Sequence, residues 1–208
     1  MATTSSTRPL RSWVIGGSLL IVSAITTMVT SVTTVTEVQL WRTISAIAFA
    51  SATVVFALGI PGGGSVTKRR PLGTIALIAT GVLAVINSLL WNLISGPLVA
   101  MQTVGYLQLL IGLLAVIIAV TAIARAGIVP SPWNWAPTWA LVALAVPQIL
   151  VQAIAAANPA DLQQAAQWIS LLGVIVAVSA PILLGVIAIA LAQRPAHREP
   201  TPILDSRD

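Results

Sequence analysis

Apolar positions in this chain come in six long runs, with neither the two-residue alternation of strands nor the polar stripe of a soluble helix. The runs cover residues 13–35, 43–60, 72–95, 98–124, 138–157 and 168–192, and none contains Asp, Glu, Lys, Arg or His. A helix needs about 20 mostly apolar residues to cross a bilayer. Barrel strands would alternate polar and apolar side chains, which these runs do not. The pattern therefore predicts an all-α, polytopic integral membrane protein: a bundle of six transmembrane helices joined by short loops. Residues 12–193 form one transmembrane domain, between polar tails at 1–11 and 194–208.

Breaker residues fall between the runs. Gly96-Pro97 and Asn158-Pro159 are turn dipeptides, and PGGG at 61–64 and VPSPWNWAP at 129–137 interrupt helix elsewhere. Pro147 and Pro181 lie inside runs, where a membrane helix tolerates a kink if neighbours satisfy the freed carbonyls. The stretch MATTSSTRPLR before the first run resembles the basic region of a secretory leader. A leader core spans only about 7–15 residues and ends at a small-residue cleavage motif. This run is longer and meets no A-x-A, so a retained helix is expected.

Charge fixes the expected threading. With six spans and a cytoplasmic N-terminus, Arg8, Arg11, Lys68, Arg69, Arg70, Arg125, Arg194, Arg198 and Arg207 are inside, and only Arg42 is outside. Basic residues in short loops stay on the cytoplasmic side, so both termini are expected there. The stretch GGGSVTKRRPLG at 62–73 has the glycines and lysine of a phosphate-binding loop but not its spacing, G-x-x-x-x-G-K-[ST] between strand and helix. Lys68, Arg69 and Arg70 are accordingly read as a topology anchor that contacts lipid headgroups. Trp13, Trp133, Trp135 and Trp139 fall at the inner interface, and Trp41, Trp91 and Trp168 at the outer one.

Composition removes several classes of function. The 208 residues are 57% hydrophobic and 7% charged, against about 25% charged in soluble domains, and the mean hydropathy is +0.98. Net charge +5 does not predict nucleic-acid binding, because only residues 68–70 cluster and apolar runs surround them. There is no cysteine, and the single histidine, His197, sits in the polar tail. No metal site or cofactor is expected. Intramembrane carboxylates or other ionisable groups are the usual basis of proton relays and ion coupling, and the runs carry none. Glu37 and Asp161 fall in outer loops without a partner, so an enzyme is not expected.

Neutral polar side chains form the remaining candidate site. Asn87 and Trp91, Gln102 and Tyr106, and Gln148 and Gln152 each share a helix face at i,i+4. They are expected to converge in the outer half of the bundle, either as a pocket for a neutral ligand or as interhelical hydrogen bonds. Thr26, Thr27, Thr30, Thr33, Thr34 and Thr36 read as a polar rim on the first span, their hydroxyls bonded back to helix carbonyls. Small-xxx-small pairs at Ala48 and Ala52 and at Gly173 and Ala177 predict close helix packing. Run openings spaced by 61–65 residues are compatible with three helical-hairpin repeats.

Two functions compete on this reading. One is a non-enzymatic multispan protein of the cytoplasmic membrane, serving as a subunit or accessory component of a membrane complex. The other is a small transporter, or the substrate-binding subunit of one, using the amide pocket and partnered by an ATPase. The preference for Arg over Lys points to a GC-rich bacterial genome.

Overall fold

The computed structural model describes residues 9–30, 33, 35–59, 71–93, 98–126, 133–157 and 162–193. Side chains are described over the same stretches except at 9, 10, 35, 36, 91–103, 105, 134, 144, 147, 148 and 151–170. These residues form six α-helices: α1 Pro9–Thr30, α2 Val35–Leu58, α3 Pro71–Leu93, α4 Leu98–Ala126, α5 Ala136–Ala157 and α6 Leu162–Ala192. A 3-10 turn, Trp133–Trp135, leads into α5. Hydrocarbon cannot satisfy backbone N–H and C=O groups, so an apolar chain of this kind must bond them within each helix.

The ends of the helices have local causes. Pro9 and Pro71 open α1 and α3, at the position where a missing N–H removes no helical bond. Glu37 stands in the first turn of α2 and Arg125 in the last turn of α4, each the favourable charge for its end of the helix dipole. Gly59 stops α2: its φ is 68°, and its N–H donates to the Val55 carbonyl at 2.9 Å. Glycine enters that left-handed conformation without the Cβ clash other residues meet.

Two helices outrun their apolar sequence. Apolar sequence resumes at residue 43, yet α2 begins at Val35, and α6 begins at Leu162 rather than near 168. Polar residues in these extra turns suit the water-facing end of a helix as well as they suit a loop. Conversely, α1 is described as far as Thr30, short of the run's end at residue 35, and residues 35 and 36 belong to α2.

The helices pack in the spatial order α5, α6, α1, α2, α3, α4, while α4 and α5 at the two ends touch only lightly. Cross-helix contacts place α1 antiparallel to both α6 and α2, and α2 antiparallel to α3. Gly17 of α1 meets Gly185 of α6 backbone to backbone: a Cβ on Gly17 would lie 2.7 Å from the Gly185 carbonyl oxygen. Ser23 of α1 bonds Ser45 of α2, and the Gln39 amide at the start of α2 donates to the Ser88 carbonyl near the end of α3 at 2.7 Å. At the α2–α3 crossing, a Cβ on Gly81 would run into the Thr53 hydroxyl and come within 2.9 Å of the Ala50 Cα.

Small residues therefore do set the packing, but not all those expected. Ala48 and Ala52 are buried, the latter completely. Gly173 is different: a Cβ there would meet nothing within 4 Å. The close approach of α6 lies twelve residues later, at Gly185, where the helix faces α1 instead of the exterior.

Polar atoms between α1 and α2 are satisfied locally. The Ser45 hydroxyl donates to the Ser23 carbonyl at 2.9 Å and lies 2.7 Å from the Thr27 hydroxyl. Thr26 and Thr30 bond back to carbonyls of their own helix, as a tolerated polar rim requires. Thr33 departs from that pattern, since its hydroxyl is buried with no hydrogen-bond partner. The exterior carries large apolar side chains, among them Leu72 and Ile75, each 66% exposed. Five of the helices are long and apolar enough to cross a membrane. An interior of alanine, serine and threonine beneath a surface of leucine and isoleucine reverses the soluble pattern, and is consistent with a multi-pass bundle that contacts lipid.

Candidate functional site

The row of helices curves around an interior chamber of about 820 Å³. All six helices and the 3-10 turn contribute to its wall. It occupies the half of the bundle that carries the start of α1 and the end of α6. Trp13 and Phe56 close one side, their rings edge to face with centroids 6.4 Å apart. Phe56 also covers Gly16, where a Cβ would lie 2.7 Å from the ring.

Carbon makes almost all of this wall. Two hydroxyls reach it, and both are already engaged: Thr53 donates to the Ala50 carbonyl at 2.8 Å and Thr80 to the Ala76 carbonyl at 2.9 Å. Pro181 of α6 lies in the wall as well. Lacking an N–H, it leaves the carbonyl four residues before it without its helical donor. An interior lined this way stays dry, because a water there would find too few partners.

The chamber is unsealed on one side. Leu109 of α4 and Ile149 of α5 line it and are also 47% and 62% exposed. Both flank the seam where α4 and α5 barely touch, so the chamber communicates with the bundle's apolar surroundings there. Gly112, one turn further along α4, lines the chamber and has open space where a side chain would be. The wall is thus wide because α4 presents no side chain at that level.

Two of the candidate-site residues singled out from sequence have described side chains, and neither lines the chamber. Asn87 of α3 and Tyr106 of α4 are both exposed, Tyr106 to 53%, and neither is without a partner. Trp91, Gln102, Gln148 and Gln152 belong to α3, α4 and α5, but their side chains are outside the described residues, as is the whole of Lys68, Arg69 and Arg70. Sequence reasoning passed over Gln108, whose side-chain amide nitrogen is buried with no hydrogen-bond partner. It sits one residue before Leu109 at the far end of the chamber. Its missing signal is plain: no polar residue stands four positions from it on α4.

Among the described residues, no group of His, Asp or Glu could hold a metal ion. No family model, no curated protein and no solved structure matches this chain. The chamber's chemistry is that of its wall, which is almost entirely carbon.

Proposed function

We propose that this chain is a non-enzymatic, multi-pass protein of the cytoplasmic membrane that acts by binding, as an accessory component of a membrane complex. It crosses the bilayer six times with both termini in the cytoplasm. The observation that carries this reading is the carbon-walled chamber opening between α4 and α5. Its two hydroxyls are spent on their own helices, so the wall offers shape and hydrophobicity to a guest. Any energy from ATP hydrolysis would come from a partner, because no connection between the helices is long enough for a nucleotide-binding domain. The nine-to-one distribution of basic residues supports the threading.

Single cysteines replacing Ser65 and Gln163 test the threading in intact cells. Ser65 should resist a membrane-impermeant maleimide and Gln163 should react. Equal reactivity at both sites overturns the topology. The binding role is tested in proteoliposomes holding the purified chain under a proton or sodium gradient. No uphill accumulation of solute is expected, and gradient-driven uptake by the chain alone would replace this reading with transport.

A further inference from the structure

We propose that the chamber holds one acyl chain of an anionic membrane phospholipid, admitted through the α4–α5 seam with its headgroup at the end of the bundle that carries the termini. The inference deepens the binding role proposed above and rests on the chain being membrane-embedded.

Depth is the first argument. The chamber-lining stretch of α4 runs from Leu109 to Ile123 and that of α6 from Ala180 to Leu191, which is about 16–21 Å of helix rise. One leaflet contributes about 15 Å of hydrocarbon. An acyl chain anchored by its headgroup at the interface therefore fills most of the chamber's depth, and the far end of the chamber lies at or a few ångströms past the midplane. The volume, about 820 Å³, is in the range of cavities that enclose a single ligand.

The surroundings and the charge at the end of the bundle where α1 starts and α4 ends choose the guest. The seam faces bilayer hydrocarbon, so the molecules at highest local concentration outside it are acyl chains. Trp133, in the 3-10 turn that leads into α5, lines the chamber and is partly exposed, as suits a ring at headgroup level. Arg125 follows two residues after Ile123 on α4, and Arg11 precedes Trp13 by two on α1; both are exposed. Each therefore stands about 3 Å of helix rise beyond the chamber wall. Among the described residues no acidic side chain shares that end, since the one described carboxylate, Glu37, begins α2 at the opposite end. Cations beside an apolar slot complement a phosphodiester on a hydrocarbon chain.

The experiment uses the full chain in nanodiscs of phosphatidylcholine doped with phosphatidylglycerol carrying a diazirine near the end of one acyl chain. Photolysis and peptide mass spectrometry should place adducts on chamber residues such as Leu113, Val116 and Leu184. Gly112→Phe fills open space inside the chamber and should abolish those adducts. Gly173→Phe, equally unobstructed but outside the chamber wall, should leave them unchanged. Replacing Arg125 by Gln should reduce the preference for phosphatidylglycerol over an equally labelled phosphatidylcholine by about fivefold, and Arg11→Gln similarly.

Adducts confined to the outer faces of the helices, or chamber adducts that survive Gly112→Phe, overturn the proposal. Equal labelling by the neutral and anionic lipids overturns the assignment of the headgroup. Gly112→Phe and Gly173→Phe are compared at matched helical circular dichroism, with Gly112→Leu as a smaller plug should the phenylalanine variant unfold. Cross-linking reads the chamber whichever way the chain is threaded, so it can fail while the cysteine labelling stands, and the reverse.

Discussion

Placing a methyl group at Gly185 should weaken the bundle, whereas the same change at Gly112 should strengthen it. At Gly185 the added Cβ would lie 2.6 Å from the Gly17 carbonyl oxygen and 2.8 Å from Ile21 Cγ1. Ordinary contact begins near 3.4 Å, so α1 and α6 must separate by about 0.8 Å, enough to forfeit a quarter to a half of each dispersion contact along the crossing. The oxygen is backbone and cannot swing aside as a side chain would. Overpacking of this kind costs about 1–3 kcal/mol. Both substitutions gain roughly 1 kcal/mol of helix propensity, which cancels in the comparison. Gly185→Ala should therefore be less stable than Gly112→Ala by about 1–3 kcal/mol. Titration from mild detergent into SDS, followed by circular dichroism, measures the difference. Two variants of equal stability would refute the close approach of α1 and α6.

Three further outcomes can be read in the same assay. Ser45→Ala removes the hydroxyl that joins Ser23 and Thr27 across α1 and α2, and should destabilise by about 0.6–1.7 kcal/mol. Gln108→Met replaces a side chain whose amide nitrogen is buried with no partner by one of similar length, and should stabilise by about 1 kcal/mol; a loss of stability would mean that the nitrogen has an unrecognised acceptor. Gly59→Ala forces a Cβ into a conformation of φ 68° and should cost about 1 kcal/mol, with Asn tolerated better than Ala.

The helices were legible because a run of about 20 uncharged residues has few alternatives in lipid. Their ends were less so. Apolar content marks where hydrocarbon begins, and a helix is free to continue beyond it, as α2 does from Val35 through Glu37, Gln39 and Arg42 before the apolar run starts. Spacing of small residues identified Ala48 and Ala52 but offered Gly173 in place of Gly185, because the pattern does not say which face of a helix meets a neighbour. The chamber left no mark in the sequence. Its wall is mostly aliphatic and aromatic side chains drawn from all six helices, the same residues that fill a solid core, and only the light contact between α4 and α5 keeps it from closing. Of the polar residues that stood out in the sequence, Asn87 and Tyr106 are exposed, and the side chains of the others lie outside the described residues.

The order of the helices in space has a consequence for how the chain is assembled. Of the six helices, α1 is synthesised before the others, yet it lies in the interior of the row, between α2 and α6. Growth proceeds on one flank through α2, α3 and α4, each docking on its predecessor as it emerges. The other flank of α1 stays vacant until α6 is made, since α6 supplies Gly185 to Gly17 across a separation of 168 residues. A ribosome-bound intermediate thus presents the bare Gly17 surface to the membrane for most of synthesis, open to capture by a foreign helix. A circular permutant that begins at α5, with the native termini joined, would read the row from end to end. Every helix would then dock on the one made just before it, and the waiting surface would never exist.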